Sequence, residues 1–292
     1  MTGGPVDRRY AYYPGCSLHA TGLEYDASVR AVFAALDVAL EELEGWNCCG
    51  ASSAHALSHN LAIGLPARNL ALIERSGLEA MAPCAACFNR LRAAQETVRH
   101  HPDELAWLEP VLDAPLRGDT LIHSPIGLLV KVIGLEAVRE RLVRPLKGIK
   151  AVSYYGCLLA RPRPLSELSS SDHPVELDDL WRALGGEALT WSYAVDCCGG
   201  ALSIPRADIA RSMTQSIVDG ARSAGADVIL TACPLCQANL EMRQQVGRNS
   251  TPMPALYFTE AMGLAFGLPE AQGWWGKHLI DPRPLLREAN LV

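Results

Sequence analysis

All ten cysteines of this chain fall into two matching sets, and no other feature constrains its fold as tightly. The first set is Cys16, Cys48, Cys49, Cys84 and Cys87; the second is Cys157, Cys197, Cys198, Cys233 and Cys236. Each reads C, long gap, CCG, long gap, CxxC. The gap from CC to CxxC holds 34 residues in both copies, whereas the first gap holds 31 residues in one copy and 39 in the other. The excess falls in RPRPLSELSSSDHP, a Pro- and Ser-rich loop. The flanks repeat as well: YAYYPGCSL pairs with AVSYYGCLL, and GLEAMAPCAACFNRL with GADVILTACPLCQANL. This is an internal duplication.

Hydrophobic periodicity gives both halves the same order of elements. RYAYYPGC is a short strand that delivers Cys16 at its carboxyl end, and EYDASVRAVFAALD is a helix with Val29, Val32, Phe33 and Leu36 on one face. ALEELEGWNCCG holds a second strand ending at the paired cysteines, and PARNLALIERSG is a helix stopped by Gly77. LEAMAPC is a third strand, CxxC opens the helix AACFNRLRAAQETVRH, and DTLIHSPIGLLVKVIG adds a fourth strand and helix. The second half follows with KAVSYYGC, a helix over 174–184, EALTWSYAVDCCG, a helix over 206–223, ADVILTACPLC, a helix to about Gln245, and MPALYFTEAMGLAFG. Alternating strands and helices imply βαβ units. The expected fold is therefore α/β and internally duplicated: two similar domains, 1–147 and 148–292, each with a parallel sheet. In such sheets ligands gather beyond the carboxyl ends of the strands, where all three cysteine elements of each half arrive.

Composition narrows the chemistry. A net charge of −6 offers no basic field for nucleic acid. MTGGPVDRR lacks the apolar run of a targeting segment, and no stretch approaches the ~18–20 apolar residues that span a bilayer. The expectation is a soluble, cytoplasmic protein, with any membrane association made through partners. Disulfides are rare in that compartment, so ten cysteines point to metal or redox chemistry. Structural zinc takes four ligands and would leave one cysteine idle in each copy. Ordinary cubane clusters commonly use a tight C-x2-C-x2-C run, which is absent. Five thiolates that include an adjacent pair suit a larger iron–sulfur assembly, since neighbouring residues can reach different irons. Gly50 and Gly199 would allow the turn this requires. Neither GxGxxG nor GxxxxGK[ST] occurs, so no flavin, nicotinamide or nucleotide site is expected and electrons must enter from a partner.

The motifs YYPGCSLHATGLEYD, WNCCGASSAH, PARNLAL, APCAACFNRL, YYGCLLARP and ACPLCQANL resemble the cysteine-rich CCG domain, and specifically the B subunit of heterodisulfide reductase. The resemblance runs from about Tyr10 to His278, with both CCG motifs intact. It implies two non-cubane [4Fe-4S] clusters, the first held by Cys16, Cys48, Cys49, Cys84 and Cys87 and the second by Cys157, Cys197, Cys198, Cys233 and Cys236. It further implies an oxidoreductase that cleaves or forms a disulfide between the clusters, acting on a small or protein-bound thiol or disulfide. The implied partners are a small protein like the reductase's C subunit, with conventional [4Fe-4S] clusters, and a flavoprotein like its A subunit. CCG proteins also resemble the E subunit of some succinate dehydrogenases and the iron–sulfur subunits of glycolate and lactate oxidation systems. That alternative makes the chain an electron-transfer component linked to quinone. A non-enzymatic iron–sulfur or zinc scaffold is the third class.

Other residues carry weaker signals. His19 and His123 are candidate proton donors near the clusters, each weighed against a structural hydrogen bond or packing. His55 and His59 have an i, i+4 spacing that can bind metal, but ordinary polar roles suit them better. Asn89 and Asn239, after the two CxxC pairs, either bond cluster sulfides or cap their helices. Arg161 and Arg163 could meet an anionic substrate or a partner. Trp274 and Trp275 either form a docking surface or close a core.

Overall fold

The computed structural model describes residues 8–101, 103, 106–112, 115–245 and 251–292. The MTGGPVD stretch, where a targeting signal would stand, lies outside them. The first half contains β1 (Arg9–Tyr12), α1 (Gly15–Leu18), α2 (Leu23–Ala35), β2 (Ala39–Glu42), α3 (Ala51–Leu57), α4 (His59–Ser76), β3 (Ala80–Met81), α5 (Ala85–His100), α6 (Glu109–Leu112), β4 (Ile122–His123), α7 (Pro125–Gly127) and α8 (Leu135–Glu140). The second half contains β5 (Lys150–Tyr154), α9 (Cys157–Ala160), α10 (Glu176–Ala183), β6 (Glu187–Ala188), α11 (Ala207–Ser223), β7 (Val228–Thr231), α12 (Pro234–Met242), β8 (Ala255–Tyr257), α13 (Phe258–Ala265) and α14 (Arg283–Glu288).

Each half builds a four-stranded parallel sheet, in the orders β2-β1-β3-β4 and β6-β5-β7-β8. Tyr12 lies opposite both Glu42 and Met81, and Tyr154 opposite Thr231, so the carboxyl ends of the central strands are level. The chain order reverses between β1 and β3, and again between β5 and β7. Crevices at such reversals are the usual ligand sites of open α/β sheets. VILT of β7 is buried throughout, as parallel strands covered by helices on both faces require.

Two strand assignments need correction. The second strand of each half does not reach the paired cysteines: β2 stops at Glu42 and β6 at Ala188. Irregular chain carries on to Cys48 and Cys197. In the first half, Leu43 NH still bonds Tyr12 O, which keeps the chain beside β1 after the strand ends. The helix expected from Pro66 begins earlier, at His59, and Pro66 lies inside it; the preceding α3 is an addition to the expected elements.

The halves join through residues packed beside the cysteines. Tyr25 of α2 stacks on Tyr257 with ring centroids 4.2 Å apart, and Ser28 Oγ lies 2.7 Å from Thr259 Oγ1 on α13. The buried Tyr25 hydroxyl sits 3.3 Å from both Pro83 O and Ala232 O, the carbonyls that immediately precede Cys84 and Cys233. A single phenol thus ties the starts of both CxxC helices to one point. The long loop after Cys157 also crosses over: Glu167 accepts from Ser124 NH at 2.6 Å, and Arg92 donates to Pro164 O at 3.4 Å.

Candidate metal centre

In each half three separate elements bring thiols to the sheet's carboxyl rim. Cys16 lies in α1 directly after β1, and Cys157 opens α9 directly after β5. Cys48–Cys49 and Cys197–Cys198 precede Gly50 and Gly199, whose φ values of 79° and 76° make the expected left-handed turn. Cys84 and Cys233 occupy the N-cap positions of α5 and α12, placing Cys87 and Cys236 in the first turn. Cys16 Sγ is 3.9 Å from Cys48 Sγ, Cys49 Sγ is 3.4 Å from Cys87 Sγ, and Cys198 Sγ is 3.5 Å from Cys236 Sγ. Further thiol–thiol contacts link Cys84 to Cys87, Cys157 to Cys197 and Cys233 to Cys236. Cys84 also meets Cys233, so the two quintets adjoin.

The framework around the thiols is duplicated too. Tyr13 OH donates to Asn47 O, and Tyr154 OH to Asp196 O, both at 2.7 Å. Each accepting carbonyl immediately precedes a vicinal cysteine pair, so each buried phenol anchors that pair. Asn69 reinforces the first anchor at 2.8 Å; Asn239 and Thr214 instead hold Cys198 O at 2.9 and 3.3 Å. Gly15 and Gly156, one residue before the lone cysteines, have φ of 70° and 69°. A Cβ there would stand 2.6 Å from Cys87 Sγ and 2.9 Å from Cys236 Sγ. Only glycine allows the backbone to come so close to sulfur. Gly15→Ala and Gly156→Ala should therefore displace those thiols and lower metal content, measured by elemental analysis. Gly45→Ala is the control: Gly45 has φ 70° but open space around its Cβ position, so it carries the backbone strain alone.

The electrostatics favour thiolates at chosen positions. Hydrogen bonding with the Cys48 and Cys87 sulfurs, followed by Ala51 NH and the Arg90 charge, pulls Cys49 down to about 3 against the opposing effect of burial. The Cys157 thiol, then Gly199 NH and Gly200 NH, lowers Cys197 to about 6, again against burial. The Cys49 thiolate and then the Cys84 sulfur push Cys87 up, with burial adding to the rise. Burying several thiolates together without cations is costly, and metal coordination removes that cost. The thiols are strung out rather than aimed at one point: among the described residues no group of three or more His, Cys, Asp or Glu could hold a single metal ion. A string of soft donors, amides directed at sulfur and glycine-cleared walls suits a polynuclear iron–sulfur group better than one tetrahedral zinc.

A cavity of about 250 Å³ opens beside the junction. The second half contributes Cys157, Cys197, Cys198, Cys233 and Cys236, and the first contributes Ala51, His55, Ala85, Ala86 and Arg90.

Several sequence candidates take other roles. His123 is buried between Glu167, at 2.9 Å from Nδ1, and Glu79, at 3.0 Å from Nε2. Burial opposes its protonation, but the two carboxylates raise its pKa overall. It is a tie between the halves and does not line the cavity. His19 is half-exposed, 3.1 Å from Glu42 and edge-on to Trp46. Asn89 bonds no sulfur and does not cap its own helix: it donates to Leu158 O and Arg161 O, carbonyls at the C-terminal end of α9 across the junction. Asn239 likewise holds backbone and accepts from Ser203 Oγ at 2.6 Å. Arg161 pairs with Asp172 at 2.7 Å, and Arg163 bonds the carbonyls of Leu168 and Ser169. Trp274 and Trp275 are buried and close the core, which removes the docking reading. His55 does line the cavity, with Nδ1 3.1 Å from Ala51 O. Sequence reasoning misses the tyrosine anchors and Arg90, although Tyr13 and Tyr154 stand three residues before matching cysteines in the repeat.

The family model described as a cysteine-rich domain, CCG, matches residues 10–92 and 151–241. The membrane anchor subunit of 8-methylmenaquinol:fumarate reductase from Wolinella succinogenes is 29% identical over 285 residues, covering 96% of this chain and all of that protein. The B subunit of the ferredoxin:CoB-CoM heterodisulfide reductase of Methanosarcina mazei is 28% identical over 248 residues, covering 81% and 82%. A protein of Archaeoglobus profundus, described as like the B subunit of heterodisulfide reductase, is 26% identical over 273 residues, covering 89% and 91%. A solved structure of a hypothetical protein from Helicobacter pylori shares the fold, with a TM-score of 0.71 at 12% identity over 96% of this chain. This chain spans 53% of that structure's length. Among the described residues no helix is long and apolar enough to cross a membrane.

Proposed function

This chain belongs to the cysteine-rich CCG domain family, and from that premise we propose that it is the iron–sulfur subunit of a heterodisulfide-reductase-like complex. In this reading 1–147 and 148–292 are the two CCG domains, and each cysteine quintet holds one non-cubane [4Fe-4S] cluster. A disulfide is cleaved or formed between them. The observation that carries the reading is the junction: Cys84 meets Cys233, and a cavity lined by both halves opens there. The five thiols of the second quintet line that cavity, and Ala51, Ala85 and Ala86, which flank first-quintet cysteines in the chain, close its other side, so two centres held there would face the two sulfurs of one bond.

The chemistry balances with two electrons: RS–SR′ plus two electrons gives RS⁻ and R′S⁻. Bound iron–sulfur groups would supply electrons singly and provide iron sites for sulfur. The chain's own residues do the positioning. Tyr13 and Tyr154 anchor the vicinal pairs, Gly15 and Gly156 make room for Cys87 and Cys236, and Tyr25 sets the spacing of the two CxxC helices. Ala85, Ala86, Leu158 and Leu235 give the cavity apolar walls that exclude water. Electrons would come from a protein like the reductase's C subunit, with conventional [4Fe-4S] clusters, itself fed by a flavoprotein like its A subunit. The complex would be cytoplasmic, with membrane attachment through partners.

The full-length match to the Wolinella protein favours a second reading, transfer of electrons to or from a quinone without disulfide cleavage. Anaerobic titration of the reduced protein, followed by electron paramagnetic resonance, separates the two. Disulfides such as dithiodiglycolate are expected to change the cluster signal. A signal that ignores every disulfide and responds to a menaquinone analogue would replace the first reading with the second.

A further inference from the structure

We infer that Arg90 polarises the substrate cavity: it receives an anionic group on a thiol or disulfide and so decides which end of the molecule faces the first half. The inference rests on the disulfide reading and adds a specificity residue to it.

Arg90 lies on α5, three residues after Cys87, and lines the cavity among Ala85, Ala86, Leu158 and Leu235. It is the one Lys, Arg, Asp or Glu among the described residues of that lining. Its position is built. Arg90 Nη2 donates to Asn89 Oδ1 at 2.9 Å, and the fully buried Asn89 is itself fastened to Leu158 O at 3.0 Å and Arg161 O at 2.9 Å. One guanidinium N–H is thereby committed to a rigid partner. The described residues include no carboxylate paired with Arg90, so its other donors are left for a ligand. A guanidinium set among apolar walls selects carboxylate, sulfonate or phosphate through paired, charge-assisted hydrogen bonds.

The duplication supplies an internal control. Features needed to hold thiols recur in both copies: the phenol anchors, the close-approach glycines and the CCG turns. Arg90 does not recur. Three residues after Cys236 stands Asn239, neutral, buried and spent on Cys198 O and Ser203. His55, the other basic side chain at the cavity, corresponds to Ile204, which is 94% exposed. The one guanidinium or ammonium among the described lining residues therefore comes from the first half. Thiol holding does not require it, whereas one-way binding of an unsymmetrical substrate does. At about 250 Å³ the cavity takes a small molecule, or the tip of a larger one.

The competing role is charge balance, because Arg90 also lies close enough to Cys49 to favour its thiolate. The iron-loaded full chain and its Arg90→Gln and Arg90→Lys variants separate the two by calorimetric binding of dithiodiglycolate and its neutral diamide. The unaltered protein should bind the dianion about tenfold or more tightly than the diamide. Arg90→Gln should bring the two affinities within about threefold, and Arg90→Lys should restore part of the preference, with iron content and reduction potentials held. If Arg90→Gln keeps the full preference, or only the potentials move, the inference fails while the disulfide reading stands. If the unaltered, iron-loaded protein binds neither compound, the disulfide reading itself fails.

Discussion

Anaerobically purified Cys198→Ser protein is expected to carry about half the iron of the unaltered chain, about four atoms against about eight, with Cys49→Ser its mirror image. Both cysteines are buried, and each has its sulfur within 3.5 Å of the last CxxC thiol of its own half. A serine oxygen is a shorter and harder donor that does not replace a thiolate toward iron. The loss should be confined to one half, because the carbonyl of Cys198 is held by Asn239 and Thr214, both residues of the second half. Cys84→Ser and Cys233→Ser should behave differently. Those two thiols meet across the junction, so removing either should disturb the spectrum of both centres. Elemental analysis with Mössbauer or paramagnetic resonance spectra reads all four variants. Stoichiometric zinc, or iron content unchanged in Cys198→Ser, would overturn the ligand assignment.

The largest stability effect is expected at His278, which is not one of the ligands and packs behind the second CxxC helix, 3.4 Å from the Gln237 amide. Its Nδ1 lies 2.6 Å from Glu241 Oε1 on α12 and its Nε2 lies 2.9 Å from Glu260 Oε1 on α13, with all three side chains buried. Burial alone would strip the proton, but Glu260 and then Glu241 outweigh it and push the pKa up to about 10. His278→Leu leaves two buried carboxylates facing an apolar group, a change that typically costs ~3–5 kcal/mol. The sign of the pH dependence follows from the raised pKa. Stabilisation from His278 is complete below its unfolded value of about 6.5 and is lost as pH rises through about 10. Urea unfolding should therefore separate the two proteins widely at pH 6 and bring them together above pH 10. A gap that holds constant across that range would show the imidazolium to be unimportant.

Much of this architecture is readable from the chain because duplication makes each signal appear twice. The equal 34-residue gaps and the glycines after both vicinal pairs lead to two parallel α/β units with thiols at their rims. Periodicity places α11 and α13 well because the first has a clear apolar side and the second is wholly buried. It fails for β2 and β6, which are short, mostly exposed edge strands followed by irregular chain. Their extended residues have no periodic signature of their own. Spacing also marks His123 as interesting and cannot reveal that its partner, Glu167, comes from the second half's long loop.

Local sequence determined which residues could be ligands, which glycines had to turn, and that the same unit occurs twice. These depend on residue type and short-range spacing, and a linear chain records both. Tertiary structure alone decided that the two quintets touch at Cys84 and Cys233, that Tyr25 ties both CxxC helices together, and that Arg90 is the unmatched charge in the shared cavity. Those facts arise from docking α2 against α13 and α5 against α9, where packing free energy is summed over residues far apart in the chain.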